Sequence, residues 1–224
     1  MIGFQVEVSG RYACFSRPEL KVERVSYDVI TPSAARGILE AVFWKPAIKY
    51  VIDEIAVCSP IRFENIRRNE VNSKAAPQVS YIAASSDRAQ RASMVLRDVR
   101  YVITAHFEPV FEKLNNNGAE RDTLPDGTFN HGKFAEIIKR RLIKGQCYHH
   151  PYLGTREFPA DIKLLDDSSS SPIAIDDSRD LGIMLYDLDY EKNQEGNVVA
   201  FTAMYFRAEM KCGIIDLRNV EVLR

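Results

Sequence analysis

Asn130-His131-Gly132-Lys133-Phe134 opens the stretch whose reading decides the fold. Behind it Phe134, Ile137, Ile138 and Leu142 recur at helical spacing, and a polar run rich in Gly, Asn and Asp, residues 115–128, leads into it as a loop. The helix runs to about Lys144. At 100° per residue Lys133, Arg140 and Lys144 fall within about 40° of one another on the edge of the apolar stripe. A row of cations starting at a helix N-terminus, where backbone N–H groups point outward, suits a phosphate. A solvated helix edge produces the same pattern.

The elements upstream set this helix in its place. Ile2, Phe4, Val6 and Val8 alternate with polar residues as a half-buried strand, and residues 10–27 form a charged and aromatic loop or hairpin. Thr31-Pro32 starts a first helix, with Thr31 as N-cap, Ala34, Ala35, Ile38, Leu39, Val42 and Phe43 on its apolar face, and Pro46 as its stop. Residues 48–57 and 60–65 read as strands. Residues 67–91 are polar and basic without periodicity, an extended loop or hairpin. Val99, Tyr101, Ile103, Ala105 and Phe107 mark one face of a long strand, and after the second helix residues 148–153 and 160–165 read as short strands.

Strand, helix, strand, strand, helix, strand is the ferredoxin-like βαββαβ pattern. The fold class is therefore α+β: a ferredoxin-like, RRM-like N-terminal domain with elaborated loops over residues 1–165. Residues 166–180 form a linker, and residues 181–224 a small antiparallel β-sheet domain with strands at 181–190, 198–211 and 214–223. Such a sheet with basic loops is a common RNA platform, although the RNP aromatics of a standard RRM are absent and one fold serves many functions.

Size and composition are those of an ordinary globular protein: 224 residues, 46% hydrophobic and 27% charged. No apolar run is long enough to span a membrane, and Met1-Ile2-Gly3-Phe4 leads straight into strand alternation, so no membrane association and a cytoplasmic location are expected. Cys14, Cys58, Cys147 and Cys212 form no CxxC pair and read as reduced, mostly buried thiols. Residues 1–150 carry 22 Lys/Arg against 17 Asp/Glu, while residues 151–224 carry 8 against 14, so a basic part precedes an acidic one. That asymmetry suits a protein presenting one face to a polyanion.

Arg62, Arg67, Arg68, Lys74, Arg88 and Arg91 are interrupted by only Glu64, Glu70 and Asp87, with Tyr81 among them as a stacking ring. Flexible basic loops of this kind make phosphate contacts, and a solvated loop is the alternative. His149-His150 would point to opposite faces of a strand, which argues against a shared metal ion, and no metal or cofactor is expected. His106 reads as a surface residue. GxSxG, HExxH, P-loop and GxGxxG motifs are absent from any strand–turn–helix context.

Gly10-Arg11-Tyr12-Ala13-Cys14-Phe15, Arg17-Pro18-Glu19, Thr31-Pro32-Ser33-Ala34-Ala35-Arg36-Gly37-Ile38, Trp44-Lys45-Pro46, Ile52-Asp53-Glu54 and Arg67-Arg68-Asn69-Glu70-Val71 stand in order along the chain. Gly132-Lys133, Gly154-Thr155-Arg156-Glu157-Phe158 and Arg179-Asp180-Leu181-Gly182 follow. Together they resemble the subtype I-C (Dvulg-type) CRISPR-associated RAMP proteins, the d variety of the fifth Cas family. The resemblance implies a ferredoxin-like RAMP domain, a small C-terminal β-sheet domain and an endoribonuclease that cuts precursor CRISPR RNA at the base of the repeat hairpin. It also implies retention on the crRNA 5′ handle as a partner of the other type I-C interference-complex subunits.

The implied reaction is metal-independent attack of a ribose 2′-OH on the adjacent phosphate, which needs a base, a cation and an acid. The family's Tyr or His before Trp-Lys-Pro falls on Phe43, and its Lys-His pair falls on Lys133 and Phe134, so only the lysine is retained. His131 is the substitute proton-transfer group, with Tyr50, Tyr148, His149 and His150 as alternatives. Arg67, Arg68, Lys74, Arg88, Arg91, Arg140 and Lys144 are the expected RNA contacts. A non-catalytic handle-binding subunit is the alternative function.

Overall fold

Phe4, Val6 and Val8 lie in strand β1 (Phe4–Ala13), with Val6 and Val8 fully enclosed. The computed structural model describes residues 3–20, 23–74, 76–78, 80–115, 121–165, 171–193 and 197–224. Ile2, part of the 115–128 loop and residues 166–170 of the expected linker lie outside them. β1 carries on through Gly10 to Ala13, and Ser16 bridges Ser26, so the connection after it is a hairpin closing on β2 (Arg24–Val25).

The long strand is longer than its apolar face shows. β5 (Arg88–Pro109) has 22 residues. Its second half pairs antiparallel with β1 on one side and β3 (Ile48–Val57) on the other, while its first half pairs with β4 (Phe63–Val71). Asp98, at φ 51, marks where β5 passes from one partner to the other. The two ends of the 67–91 stretch are therefore the arms of a hairpin, and the part between Val71 and Arg88 is its connection. Its alternation is faint because the more covered face of β4 carries Glu64, Arg68 and Glu70 as well as Ile66. β6 (Asp161–Leu165) adds to the free side of β1 and β9 (Ile214–Asp216) to that of β3, giving the order β6-β1-β5-β3-β9.

Two helices cover the sheet face that carries Tyr50 and Phe107. Helix α1 (Pro32–Val42) starts where the Thr31 side chain accepts from the Ala34 N–H, and it buries Ala35, Ile38, Leu39 and Val42. Helix α2 (His131–Lys144) starts where the Asn130 side chain accepts from the Lys133 N–H, buries Phe134, Ile138 and Leu142, and ends at left-handed Gly145. α2 packs on β6 and α1, and α1 also packs on β3 and on β7 (Arg179–Lys192).

Two expected strands differ. Residues 148–153 form no strand: Tyr152 makes one bridge to Pro159, Pro151 has no N–H to give, and Gly154 turns the chain at φ 84. The third C-terminal strand shrinks to β9 and pairs with β3, leaving β7 and β8 (Val198–Met210) as a two-stranded ribbon. The turn at Cys212 and Gly213, both at positive φ, sends Ile215 and Leu217 into the main core. Leu181, Met184, Phe206 and Ala208 belong to that same core, so burial is continuous between the large sheet and the ribbon. Only Cys14 is a buried thiol: Cys58 is partly covered, and Cys147 and Cys212 are exposed, contrary to the expectation of mostly buried cysteines.

Candidate active site

Lys133 sits in the first turn of α2, and its ammonium turns back over the preceding loop. Nζ donates to the Arg121 carbonyl at 2.8 Å and to Asp122 Oδ1 at 3.2 Å. Asp122 organises that loop. Its carboxylate is 3% exposed, its Oδ2 accepts from the Asn115 N–H at 3.0 Å, and its carbonyl accepts from the Asn130 N–H at 2.9 Å. The Lys133 side chain, 24% exposed, therefore stays partly in solvent while its amine is held from behind. It also lies 5.6 Å from the centre of the Phe134 ring.

Phe43 and Phe134, where the resemblance expects acid–base groups, are wall rather than reagent. Phe134 is fully buried and stacks on Phe129 at 4.9 Å, and its other ring neighbours are Phe107 at 6.2 Å and Phe43 at 6.3 Å. Phe43 caps the end of α1, where the Arg141 guanidinium lies 5.1 Å from its ring and donates to the Val42 carbonyl at 2.9 Å. Tyr50 is enclosed beneath them, with its hydroxyl donating to the Phe43 carbonyl at 2.8 Å, and burial pushes its pKa well above the ordinary tyrosine value.

His131 is the first residue of α2, so by helix geometry it projects about 160° away from Lys133. Its ring lies 4.7 Å from that of Phe129 and 6.0 Å from that of Phe107. The sequence-derived pair thus shares a helical turn and not a direction. Tyr148, His149 and His150 are exposed on the 145–151 connection, with the Tyr148 N–H tied to the Ala41 carbonyl at 2.8 Å. They flank the far ends of α1 and α2 and leave no strand geometry to separate the two histidines. Among the described residues no group of three or more His, Cys, Asp or Glu is arranged to hold a metal ion. His106 is not a free surface group: it is 13% exposed and its Nδ1 lies 2.8 Å from Asp53 Oδ2.

The expected RNA contacts divide in two. Arg67, Lys74, Arg88, Arg140 and Lys144 are exposed, and strand register puts Arg67 and Arg88 on the same face of the β4–β5 hairpin. Arg68 points to the opposite face, where it pairs with Glu157 and lies 5.3 Å from the Phe158 ring, with Nε and Nη2 enclosed and unpartnered. Arg91 is shared between Glu70 at 3.6 Å and Asn72 at 3.4 Å. Both charges are paired within the protein, which sets these two apart from the five exposed cations. Sequence reasoning missed Asp122 and Arg141. Neither lies in a periodic pattern that points to its partner, because both contacts are tertiary.

Comparison with known proteins agrees with this architecture. Residues 3–218 match the family described as CRISPR-associated protein (Cas_Cas5). The CRISPR pre-crRNA endoribonuclease Cas5d of Mannheimia succiniciproducens is 47% identical over 95% of this chain and 93% of its own length. The protein of the same name from Thermus thermophilus is 42% identical over 85% of this chain and 75% of its own. A crystal structure of a CRISPR-associated protein superposes with a TM-score of 0.69 at 23% identity, covering 100% of this chain and 97% of the other. A functionally uncharacterized protein from Streptococcus mutans gives 0.64 at 22% identity, covering 97% and 93%. At those identities the two structures speak for the fold alone, a mixed α/β fold composed mostly of strands. The chain belongs to the Cas5d family of CRISPR-associated proteins.

Proposed function

We propose that the protein is an endoribonuclease that cleaves precursor CRISPR RNA within the repeat and then stays on the crRNA 5′ handle beside the other interference-complex subunits. The observation that carries this reading is the retained Lys133, held by Asp122 with its side chain still 24% exposed, in a chain closely related to two proteins that bear that activity in their names. The order β6-β1-β5-β3 with α1 and α2 on one face supports a ferredoxin-like core, and the β7–β8 ribbon supports a small C-terminal unit around residues 181–224.

In the proposed reaction the 2′-oxygen bonds to the adjacent phosphorus as the bond to the 5′-oxygen breaks. The 2′-OH proton leaves, and a proton is delivered to the departing 5′-oxygen. The products are a 2′,3′-cyclic phosphate and a 5′-OH. Lys133 stabilises the charge that builds on the non-bridging oxygens. Arg67, Lys74, Arg88, Arg140 and Lys144 contact the RNA backbone. His131 keeps the proton-transfer role only if the Phe129–Asn130 segment rearranges on RNA, because its ring now packs on Phe129.

A second reading, a non-catalytic handle-binding subunit, is favoured by one observation: the family acid–base positions Phe43 and Phe134 lie in the aromatic core. Incubation with the cognate repeat RNA in EDTA, with a 2′-deoxy control at the scissile nucleotide, separates the two. The nuclease reading expects one cut that the 2′-deoxy RNA resists, slowed about 10²–10³-fold by Lys133→Ala. Tight binding with no cut in either RNA would leave the structural role in its place.

A further inference from the structure

We propose that a cavity along α1 receives a single unpaired base of the RNA, acting as a specificity pocket; this rests on the RNA-cleaving reading above. The cavity holds about 320 Å³, and its walls include Phe15, Ser16, Ser33, Gly37, Tyr152 and Gly154. That volume is at the lower end for small-ligand sites.

Two glycines shape it. Gly37 lies inside an 11-residue helix, where glycine costs about 1 kcal/mol relative to alanine. A Cβ there would meet nothing within 4 Å, so close packing does not explain the residue, and what glycine provides at this position is room. On the other wall Gly154, at φ 84, lies so near β1 that a Cβ would stand 2.0 Å from the Cys14 carbonyl oxygen. The Cys14 N–H also donates to the Leu153 carbonyl at 3.0 Å, so the Tyr152–Gly154 segment is fixed to the end of β1. The pocket is built before any ligand arrives.

Its lining selects the ligand class. Hydroxyls of Ser16, Ser33 and Tyr152 can donate and accept, that of Thr31 being taken up in the α1 cap, and Phe15 and Tyr152 supply aromatic surface. The Tyr152 hydroxyl has no hydrogen bond among the described residues. No charged side chain lines the cavity, which disfavours a phosphate and suits a neutral planar ring bearing both donors and acceptors, as a nucleobase does. Gly37 precedes Phe43, the residue that ends α1, by six residues. The Phe43 ring neighbours that of Phe134, next to Lys133.

An abasic scan of the unpaired positions of the cognate repeat RNA tests this, measured as binding to the wild type and to Gly37→Leu. The substitution puts a strong helix former where the cavity is open, so the thermal midpoint should hold or rise. In the wild type one abasic position should weaken binding by roughly 5- to 150-fold, the range of base stacking. Gly37→Leu should weaken the intact RNA by a similar factor and be indifferent to that one abasic change. Tyr152→Ala, on the opposite wall, should lose sensitivity at the same position. Wild-type affinity in Gly37→Leu, or an unchanged abasic profile in both variants, overturns the pocket while leaving the nuclease reading intact. Failure of the wild type to bind or cut the repeat at all removes both.

Discussion

Replacing Asp122 by Asn and Lys133 by Met, singly and together, asks whether the loop carboxylate holds the ammonium in place. Nζ and Oδ1 are 3.2 Å apart, with Asp122 3% and Lys133 24% exposed. At an effective dielectric of about 20, a unit pair at 3.2 Å attracts by roughly 5 kcal/mol before desolvation. The enclosed carboxylate has lost its water, and that loss cancels most of the attraction. The hydrogen bond from the Asn115 N–H at 3.0 Å offsets part of the loss. The net coupling in a double-mutant cycle should be about 1–3 kcal/mol. Lys133→Met should be the more harmful single change, about 2–4 kcal/mol, because it strands a buried charge, whereas Asp122→Asn frees an amine that water can reach. Urea unfolding of the four proteins reads these values directly, and each kcal/mol should appear as about 2–4 °C in the thermal midpoint of a chain this size. A coupling below about 0.5 kcal/mol refutes the reasoning, since distant, unconnected sites give as much.

Three other outcomes follow from the same geometry. Phe134→His installs the family imidazole in a fully enclosed site stacked on Phe129. It should cost about 1–3 kcal/mol for an unsatisfied polar ring, and a melt unchanged from wild type would place the ring outside the core. Gly154→Ala should cost about 2–5 kcal/mol, combining left-handed strain with a clash against the Cys14 carbonyl, and chemical denaturation measures it. Arg67→Ala should lower the slope of log affinity against log salt by about 0.7–0.9. Arg68→Ala should leave that slope alone, because Glu157 already neutralises it. Anisotropy titrations across a salt series distinguish the two, and equal slopes would contradict the assignment.

The helices were legible because local chemistry decides them. Thr31-Pro32 and Asn130 cap where caps were expected or follow a polar loop, and the 3.6-residue stripes are the buried faces. The central strands were legible for the same reason, since one apolar face alternates. What escaped was set by partners far away in sequence. β5 looked half its length because its first half pairs with a mostly polar strand. β9 joined β3 because the Cys212-Gly213 turn redirects an apolar segment, and a strand pattern does not name its neighbour.

The site divides along the same line. Lys133 follows from a helix edge and a family resemblance, whereas its orientation follows from Asp122, which only the folded loop brings to it. Phe43 and Phe134 show what the substitution at the family positions does physically. Where the resemblance expects proton-transfer groups stand two rings, Phe134 packed on Phe107 and Phe129 and Phe43 packed on Phe134, beneath an amine 5.6 Å from the Phe134 ring centre. Removing them from water lowers the local polarisability beside the cation, and a phosphate arriving there feels a stronger attraction than it would over a solvated histidine. Such a site orients and stabilises charge better than it moves protons. Its cleavage should therefore depend steeply on Lys133 and only weakly on pH through the range where histidine titrates. A bell-shaped profile centred near neutrality would instead require an imidazole at the scissile bond, and would return His131, His149 or His150 to the mechanism.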